Sequence, residues 1–304
     1  MNKKIVVLGD IILDQYHFWE VKRLNPESPM PLINIHTSES RLWGAANVAA
    51  NIQWLWGNCL LIGNIGNDMS GKIIKNLCDQ YQVTYTPIIT DAPTITKVRY
   101  IETTYNQQIL RADFEEKVAI GAEQIHQVLE TLHSFSPEII VCSDYTKWVL
   151  WLEMITMITT HFPDKILLVD TKPGKIGLYK NVYVYKPNFK EFREMIWVAI
   201  ENNDTDIEKY GIAFAEKMQT NLIITRGAKW ASIIQKNGQI EHLPTQAQKV
   251  FDVSGAWDTF LAGIAVKLAT WDTLKEAVKF GNHASGIAVS KIGTSIVTTE
   301  ELFV

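Results

Sequence analysis

A repeated alternation of short apolar runs with helix-period patterns sets the architecture of this chain. Apolar runs of strand length occupy residues 4–9, 59–62, 139–142, 166–170, 182–185 and 222–225. Helical patterns at 44–56, 71–80, 122–133, 149–160, 189–200 and 206–219 fall between many of them. Strands that alternate with helices predict an α/β fold with a mostly parallel sheet covered on both faces. Ligands of such sheets bind beyond the carboxyl ends of the strands.

Two stretches depart from that rhythm. Residues 94–101 and 107–113 are extended and partly polar, and Thr103-Thr104-Tyr105-Asn106 joins them as a β-hairpin outside the main sheet. Pro26, Pro29 and Pro31 punctuate an extended segment leading into 32–36, and the last part of the chain is helical at 256–269 and 273–290. With no repeat, low-complexity tract or linker, the expectation is one domain over 1–304, its β lid drawn from roughly 10–36 and 93–115. Hydrophobic residues make up 47% and charged residues 20%, enough apolar surface for a sizeable core.

A net charge of -4 speaks against a nucleic-acid partner. Cys59, Cys78 and Cys142 lie in or beside apolar runs without a C-x-x-C spacing, so free buried thiols and a reducing, cytoplasmic setting are expected. The first 13 residues resemble a leader only until Asp10 and Asp14 interrupt them; they read as a buried strand. No uncharged apolar run reaches the ~18 residues of a membrane span.

The chemistry concentrates in Asp252-Val-Ser-Gly-Ala-Trp-Asp-Thr-Phe260. Ser254 reads as an N-cap, with the helix starting at Gly255. Backbone N–H groups of Gly255, Ala256 and Trp257 would then form an anion site at the positive end of a helix. Asp258 inside that turn is suited to accept a proton from an attacking hydroxyl. Taken alone, the segment favours the other reading, an acid complementing the helix dipole. Asn188 and Glu191, spaced i and i+3 after Lys186-Pro187, suit Mg²⁺ through water, or an N-cap with a first-turn acid. Thr225-Arg226-Gly227 fits a turn beside a nucleotide. Gly9-Asp10, Asp14 and Gly44-Ala45-Ala46-Asn47 offer groups for sugar hydroxyls, and each also fits ordinary turn and cap chemistry.

Taken together these residues resemble the ribokinase-like (PfkB) carbohydrate kinases over essentially the whole chain. Asn25-Pro-Glu-Ser-Pro-Met-Pro31, Gly44-Ala-Ala-Asn-Val-Ala49, Pro93-Thr-Ile-Thr-Lys-Val-Arg99, Asn106-Gln-Gln108, Arg111-Ala-Asp-Phe-Glu-Glu116, Ser143-Asp-Tyr145 and Pro244-Thr-Gln-Ala-Gln248 are similar to the kinase domain of the bacterial ADP-heptose pathway. The resemblance implies a three-layer sandwich with a β lid. It implies ATP-dependent phosphorylation of D-glycero-β-D-manno-heptose 7-phosphate at O1; another sugar or sugar phosphate is the alternative, and no adenylyltransferase domain follows. It implies a homodimer through the lid and no membrane partner. By the same resemblance Asp258 is the general base, and Gly255, Ala256 and Trp257 form the anion hole. Asp14, Gly44, Asn47 and Asp144 bind the sugar, and Lys97, Arg99, Gln107 and Arg111 its phosphate. Lys186, Asn188, Glu191, Thr225, Gly227 and Asn282 face ATP and Mg²⁺, while Asp252 and Gly293 fall where relatives hold K⁺.

Tryptophan departs from the pattern. Of ten tryptophans, Trp43 and Trp257 stand where the family's motifs have glycine. Trp56, Trp148, Trp197, Trp230 and Trp271 also fall on glycine sites of close relatives, with Trp19 a further candidate. Three readings follow: an active kinase whose indoles point away, an impaired form that keeps the fold, or a systematic change, since one glycine codon differs from the tryptophan codon by a single base. Trp257 is expected to lower phosphoryl transfer, and indoles at glycine sites to reduce stability.

Overall fold

The computed structural model describes residues 3–24, 31–244, 254–291 and 293–302. Their strands are β1 (Ile5–Gly9), β2 (Ile11–Leu24), β3 (Pro31–Gly44), β4 (Cys59–Gly66), β5 (Thr84–Thr90), β6 (Thr96–Glu102), β7 (Gln107–Phe114), β8 (Ile139–Ser143), β9 (Ile166–Asp170), β10 (Val184–Tyr185), β11 (Asn221–Thr225), β12 (Ala231–Ile234) and β13 (Ile240–Leu243). Eight helices matter here: α1 (Ala45–Trp56), α2 (Met69–Gln80), α3 (Ala122–Phe135), α4 (Leu152–His161), α5 (Phe189–Ile196), α6 (Asp204–Met218), α7 (Ala256–Ala269) and α8 (Leu274–Ala288).

Consecutive residues of a strand face opposite sides, and β1 shows what that does here. Ile5 and Val7 join a core with α1, α2, α7 and α8, while Val6 and Leu8 join a second core with α3, α4, α5 and α6. Both faces of the sheet are therefore apolar, which is why its strands read as unbroken hydrophobic runs. The nine-stranded sheet has the order β13-β12-β11-β10-β9-β8-β1-β4-β5. Pairing is parallel from β11 to β5 and antiparallel for β11–β12 and β12–β13.

A second sheet, ordered β3-β2-β6-β7, forms the lid. It is larger than expected: β2 and β3 are 14-residue strands, and β3 runs on to Gly44, past the expected limit of the lid segment at 36. One residue, Asp10, separates β1 of the main sheet from β2 of the lid. The lid hairpin lies within a residue or two of its expected bounds. Strands β5, β12 and β13 were not anticipated: β5 has exposed positions along its length, and β12 and β13 are four-residue strands, with Ser232 in one and Glu241-His242 in the other interrupting the apolar signal. Helix α5 stops at Ile196, four residues short of the expected end, because Trp197 turns left-handed at φ 56°. The motif residues at 25–30 and 245–248, and Asp252, lie outside the described residues.

Candidate active site

The crossing from main sheet to lid at Asp10 organises the site. Its carbonyl accepts from Ala45 N–H at 3.0 Å and so pins the start of α1. Gly44 just before has φ 65°, and a Cβ there would come within 2.5 Å of that carbonyl, so glycine is required. The buried Asp10 carboxylate accepts from the N–H groups of Tyr145, Lys147 and Val149 at 2.8, 2.9 and 3.4 Å. Three donors from one loop fix the segment that follows β8. Burial, with Asp144 adding to it, pushes the Asp10 carboxyl up to about 7.

Asp258 lies in the first turn of α7 and is 2% exposed. The helix begins one residue later than expected: Gly255, rather than Ser254, is its N-cap, left-handed at φ 74°. Each carboxylate oxygen of Asp258 has a donor. Asn47 Nδ2, from α1, donates to Oδ2 at 3.1 Å, and the Tyr145 hydroxyl donates to Oδ1 at 2.9 Å. Asn47 is itself oriented, because Asn51 Nδ2 donates to its Oδ1 at 3.1 Å and Val297 N–H donates to Asn51 Oδ1 at 3.0 Å. Burial raises the Asp258 carboxyl to about 7, against the two hydrogen bonds and Lys186, with Asp170 pushing it further up. A carboxylate poised there can take a proton at neutral pH.

Lys186 acts on this acid directly, and Lys172 lies 5.6 Å over the ring of Tyr145. Lys186 pairs with Asp170 at 2.8 Å, and Lys172 pairs with Glu191 Oε1 at 2.5 Å. Burial lowers the proton affinity of Lys172, but the Glu191 partner outweighs it and the net shift is upward. Lys172 was missed by sequence reading; its signal was the Asp170-Thr171-Lys172 end of a buried strand. Asn188 and Glu191 form a reciprocal capping box, each backbone N–H donating to the other's side chain at 2.9 Å. Both Glu191 oxygens thus have a partner, and their remaining lone pairs suit water around a hydrated divalent ion rather than direct ligation. Among the described residues no cluster of three His, Cys, Asp or Glu forms a metal cage.

Beside α5, Asn188 bridges to Thr225 at the end of β11. Thr225 Oγ1 and Asn282 Oδ1 are buried with no partner in the described structure, as groups awaiting a polar ligand would be. Asn282 Nδ2 donates to Pro244 O at 3.1 Å, and Gly227 turns at φ 63°.

On the lid, the buried Asp14 accepts from Arg99 Nε and from the Tyr16 hydroxyl, both at 2.7 Å. Lys97 pairs with Asp113 at 2.6 Å and Arg111 with Asp113 at 2.8 Å. Gln107 is exposed opposite Glu102; it is Gln108 whose Oε1 accepts from Arg99 at 3.0 Å. Asp144 is brought elsewhere: its oxygens accept from Thr146 N–H, Thr171, Lys175 and Tyr179 at 2.8–3.1 Å in a buried network. That carboxylate is fully engaged, so a role holding the loop fits it better than a sugar contact. Gly293 packs against Arg41 and Tyr16, and Arg41 donates to Thr294 O at 3.4 Å. Asp252, the other residue of the expected K⁺ site, lies outside the described residues.

Trp43 lies between lid and base. Its ring is 5.9 Å from that of Tyr145, with Arg99 at 5.1 Å and Lys97 at 5.6 Å over its face. Trp257 sits on the other side, 5.8 Å from both Lys186 and the Trp230 ring. The indoles do not point away from the site, as one reading of the sequence had it.

Residues 2–301 match the model of the pfkB family carbohydrate kinases. The chain belongs to that family. As a pfkB kinase it is a phosphotransferase with the ribokinase-like fold. It is 34% identical to the bifunctional protein HldE of Psychromonas ingrahamii over 307 residues, 98% of this chain and 63% of that protein. It is 36% identical to HldE of Actinobacillus succinogenes, covering 99% of this chain and 63% of the relative. The pfkB domain thus spans less than two thirds of those relatives. Among solved structures it is similar to phosphofructokinase-2 of Escherichia coli in complex with potassium (TM-score 0.83, 19% identity, 100% of this chain and 97% of that one). Ribokinase of Thermotoga maritima gives a TM-score of 0.76 at 22% identity, over 99% and 98% of the two chains. Both support the fold.

Proposed function

We propose that this pfkB kinase transfers the γ-phosphoryl group of ATP to O1 of D-glycero-β-D-manno-heptose 7-phosphate. The observation that carries the reading is the line from Asp258 through Tyr145 and Trp43 to Arg99 and Lys97. It sets a proton acceptor at one end and two buried cations at the other. A sugar with a distal phosphate matches that spacing of charges, since arginine binds phosphate with parallel hydrogen bonds. Identity to the HldE proteins over this domain supports the heptose.

Asp258 takes the O1 proton as the O1–P bond forms and the bond from phosphorus to the β,γ-bridging oxygen breaks, releasing ADP. The first-turn N–H groups of α7 with Lys186 and Lys172 hold the charge that develops on the transferring group. Glu191 and Asn188 would hold Mg²⁺ through water, and the ion would neutralise charge across the β- and γ-phosphates. Dimerisation through the lid is part of the proposal, supported by exposed Ile33, Ile35, Leu110 and Phe114. A reducing compartment is too, supported by three buried free thiols. No helix among the described residues is long and apolar enough to cross a membrane.

ADP release over a panel containing both heptose 7-phosphate anomers, fructose 1-phosphate, fructose 6-phosphate and ribose tests this. The β-heptose phosphate is expected to give the highest kcat/KM; preference for any other acceptor overturns the substrate assignment. A second reading, ligand binding without turnover, is favoured by the indoles of Trp43 and Trp257 in the site. Heptose phosphate binding by calorimetry with no ADP formed would support it.

Tyr145→Phe tests the positioning of the base. The hydroxyl lowers the proton affinity of Asp258, so its loss should move the acid limb of the kcat/KM profile upward from about 7. The expected shift is about one pH unit, with kcat down ~10-fold, as for one hydrogen bond to a charged group. An unmoved limb would mean that Tyr145 serves only packing.

A further inference from the structure

Tryptophan occupies backbone that belongs to glycine. Among the described residues, ten without a glycine's freedom have positive φ, and six of these are Asn, Gln, Ser or Thr. The other four are Trp148 at 81°, Trp197 at 56°, Trp230 at 58° and Trp271 at 68°. Small polar side chains tolerate the left-handed region through local hydrogen bonds, whereas a bulky residue there is an outlier. Trp230 is further out, with ψ -96°, far from the left-handed helical well.

Their side chains do not repay the strain. Trp197 is 93% exposed and Trp271 85%, although Lys3 lies over the latter ring. Trp230 is buried with its indole N–H lacking an acceptor in the described structure. Trp148 does stack on Trp151, at 4.5 Å between centroids. Two different failures, full exposure and orphaned burial, share one backbone cause.

We infer that the protein made in its own cell carries glycine at positions 148, 197, 230 and 271, and also at 43 and 257. One codon that this cell reads as glycine, and that another code reads as tryptophan, produces the whole set in a single step. Trp43 and Trp257 are not among the positive-φ residues, and positions 43 and 257 rest on the kinase reading instead. The Trp43 indole fills the gap between Tyr145, Arg99 and Lys97, which an acceptor phosphate sugar must enter. Trp257 lies over Lys186 on the nucleotide side, against Trp230. Glycine at both opens one space on each side of Asp258, for acceptor and for ATP.

Peptide mass spectrometry of the protein purified from its native cells decides the inference without any assay of activity. Glycine masses at the six positions are expected; tryptophan at 148, 197, 230 and 271 overturns it. Independently, the chain made with tryptophan in another host is compared with its Trp148→Gly/Trp197→Gly/Trp230→Gly/Trp271→Gly variant. The variant should melt several degrees higher, and an unchanged or lower melting temperature contradicts the backbone argument. Adding Trp43→Gly and Trp257→Gly should raise ATP turnover at least tenfold. A six-glycine protein that binds ATP no better than the tryptophan form contradicts the assignment at 43 and 257. If native peptides carry glycine and turnover is still absent, the kinase reading fails and the glycine inference stands.

Discussion

Asp258→Asn should lower kcat by ~10²–10⁴ and, above neutral pH, yield a more stable protein. The loss follows from removing the proton acceptor while keeping the shape of the side chain and a partner for Tyr145. The gain follows from linkage. An aspartate whose proton affinity rises from 3.8 to about 7 on folding holds its proton more tightly in the native state. Its contribution to stability is full below pH 3.8, falls as pH climbs through the interval, and is gone above about 7. The ionised buried carboxylate then weighs against the fold by up to about 4 kcal/mol, at roughly 1.4 kcal/mol per unit. The amide has no such charge. Denaturant melts at pH 5 and 8 should therefore diverge between the two proteins, with the variant's margin clearly larger at pH 8 than at pH 5. Equal stability at both pH values would show that Asp258 is not held at raised proton affinity. Undiminished turnover would remove it from the proton-transfer role.

Arg99→Met should destabilise the chain by about 3 kcal/mol and raise KM for a phosphorylated acceptor far more than KM for ATP. Asp14 is fully buried, and burial raises its carboxyl even against the neighbouring guanidinium. Removing Arg99 leaves that acid with Tyr16 as the remaining side-chain donor given by the hydrogen bonds above. Breaking one side of a buried pair strands the other, whereas replacing both can be nearly neutral. Asp14→Leu/Arg99→Met should thus recover much of the lost stability and none of the substrate affinity. A double variant as unstable as the single one would contradict the pair argument. The stability is read from urea melts and the affinity split from initial rates.

The main sheet was legible because each of its buried strands is apolar on both faces, so a run such as 166–170 marks itself. In the lid the hairpin showed itself as two extended stretches joined by a turn, whereas the end of β3 did not, because Thr37-Ser-Glu-Ser-Arg41 offers no apolar run. At the candidate site, motif and geometry coincide for Asp258, Asn47 and Lys186. They part where one residue of register matters. A bulge between Tyr100 and Ile101 shifts the β6–β7 pairing, and a one-residue slip exchanges the faces of Gln107 and Gln108. At Asp144, one position past β8, nothing in the spacing says that it turns toward Thr171, Lys175 and Tyr179. The capping role of Asn188 and Glu191 was one of two open readings, and the reciprocal bonds show it in place.

The amides that lead from Val297 to Asp258 have a polarity. An asparagine can present oxygen or nitrogen to its neighbour, and the two ends look alike in shape. A main-chain N–H can only donate. Because Val297 N–H meets Asn51, that side chain must turn its oxygen outward and its NH₂ inward. Asn47 must then do the same, and its NH₂ falls on Asp258. The tail of the chain, far from the reaction in sequence, thereby dictates which end of an amide faces the acid, and a lone pair never opposes the carboxylate.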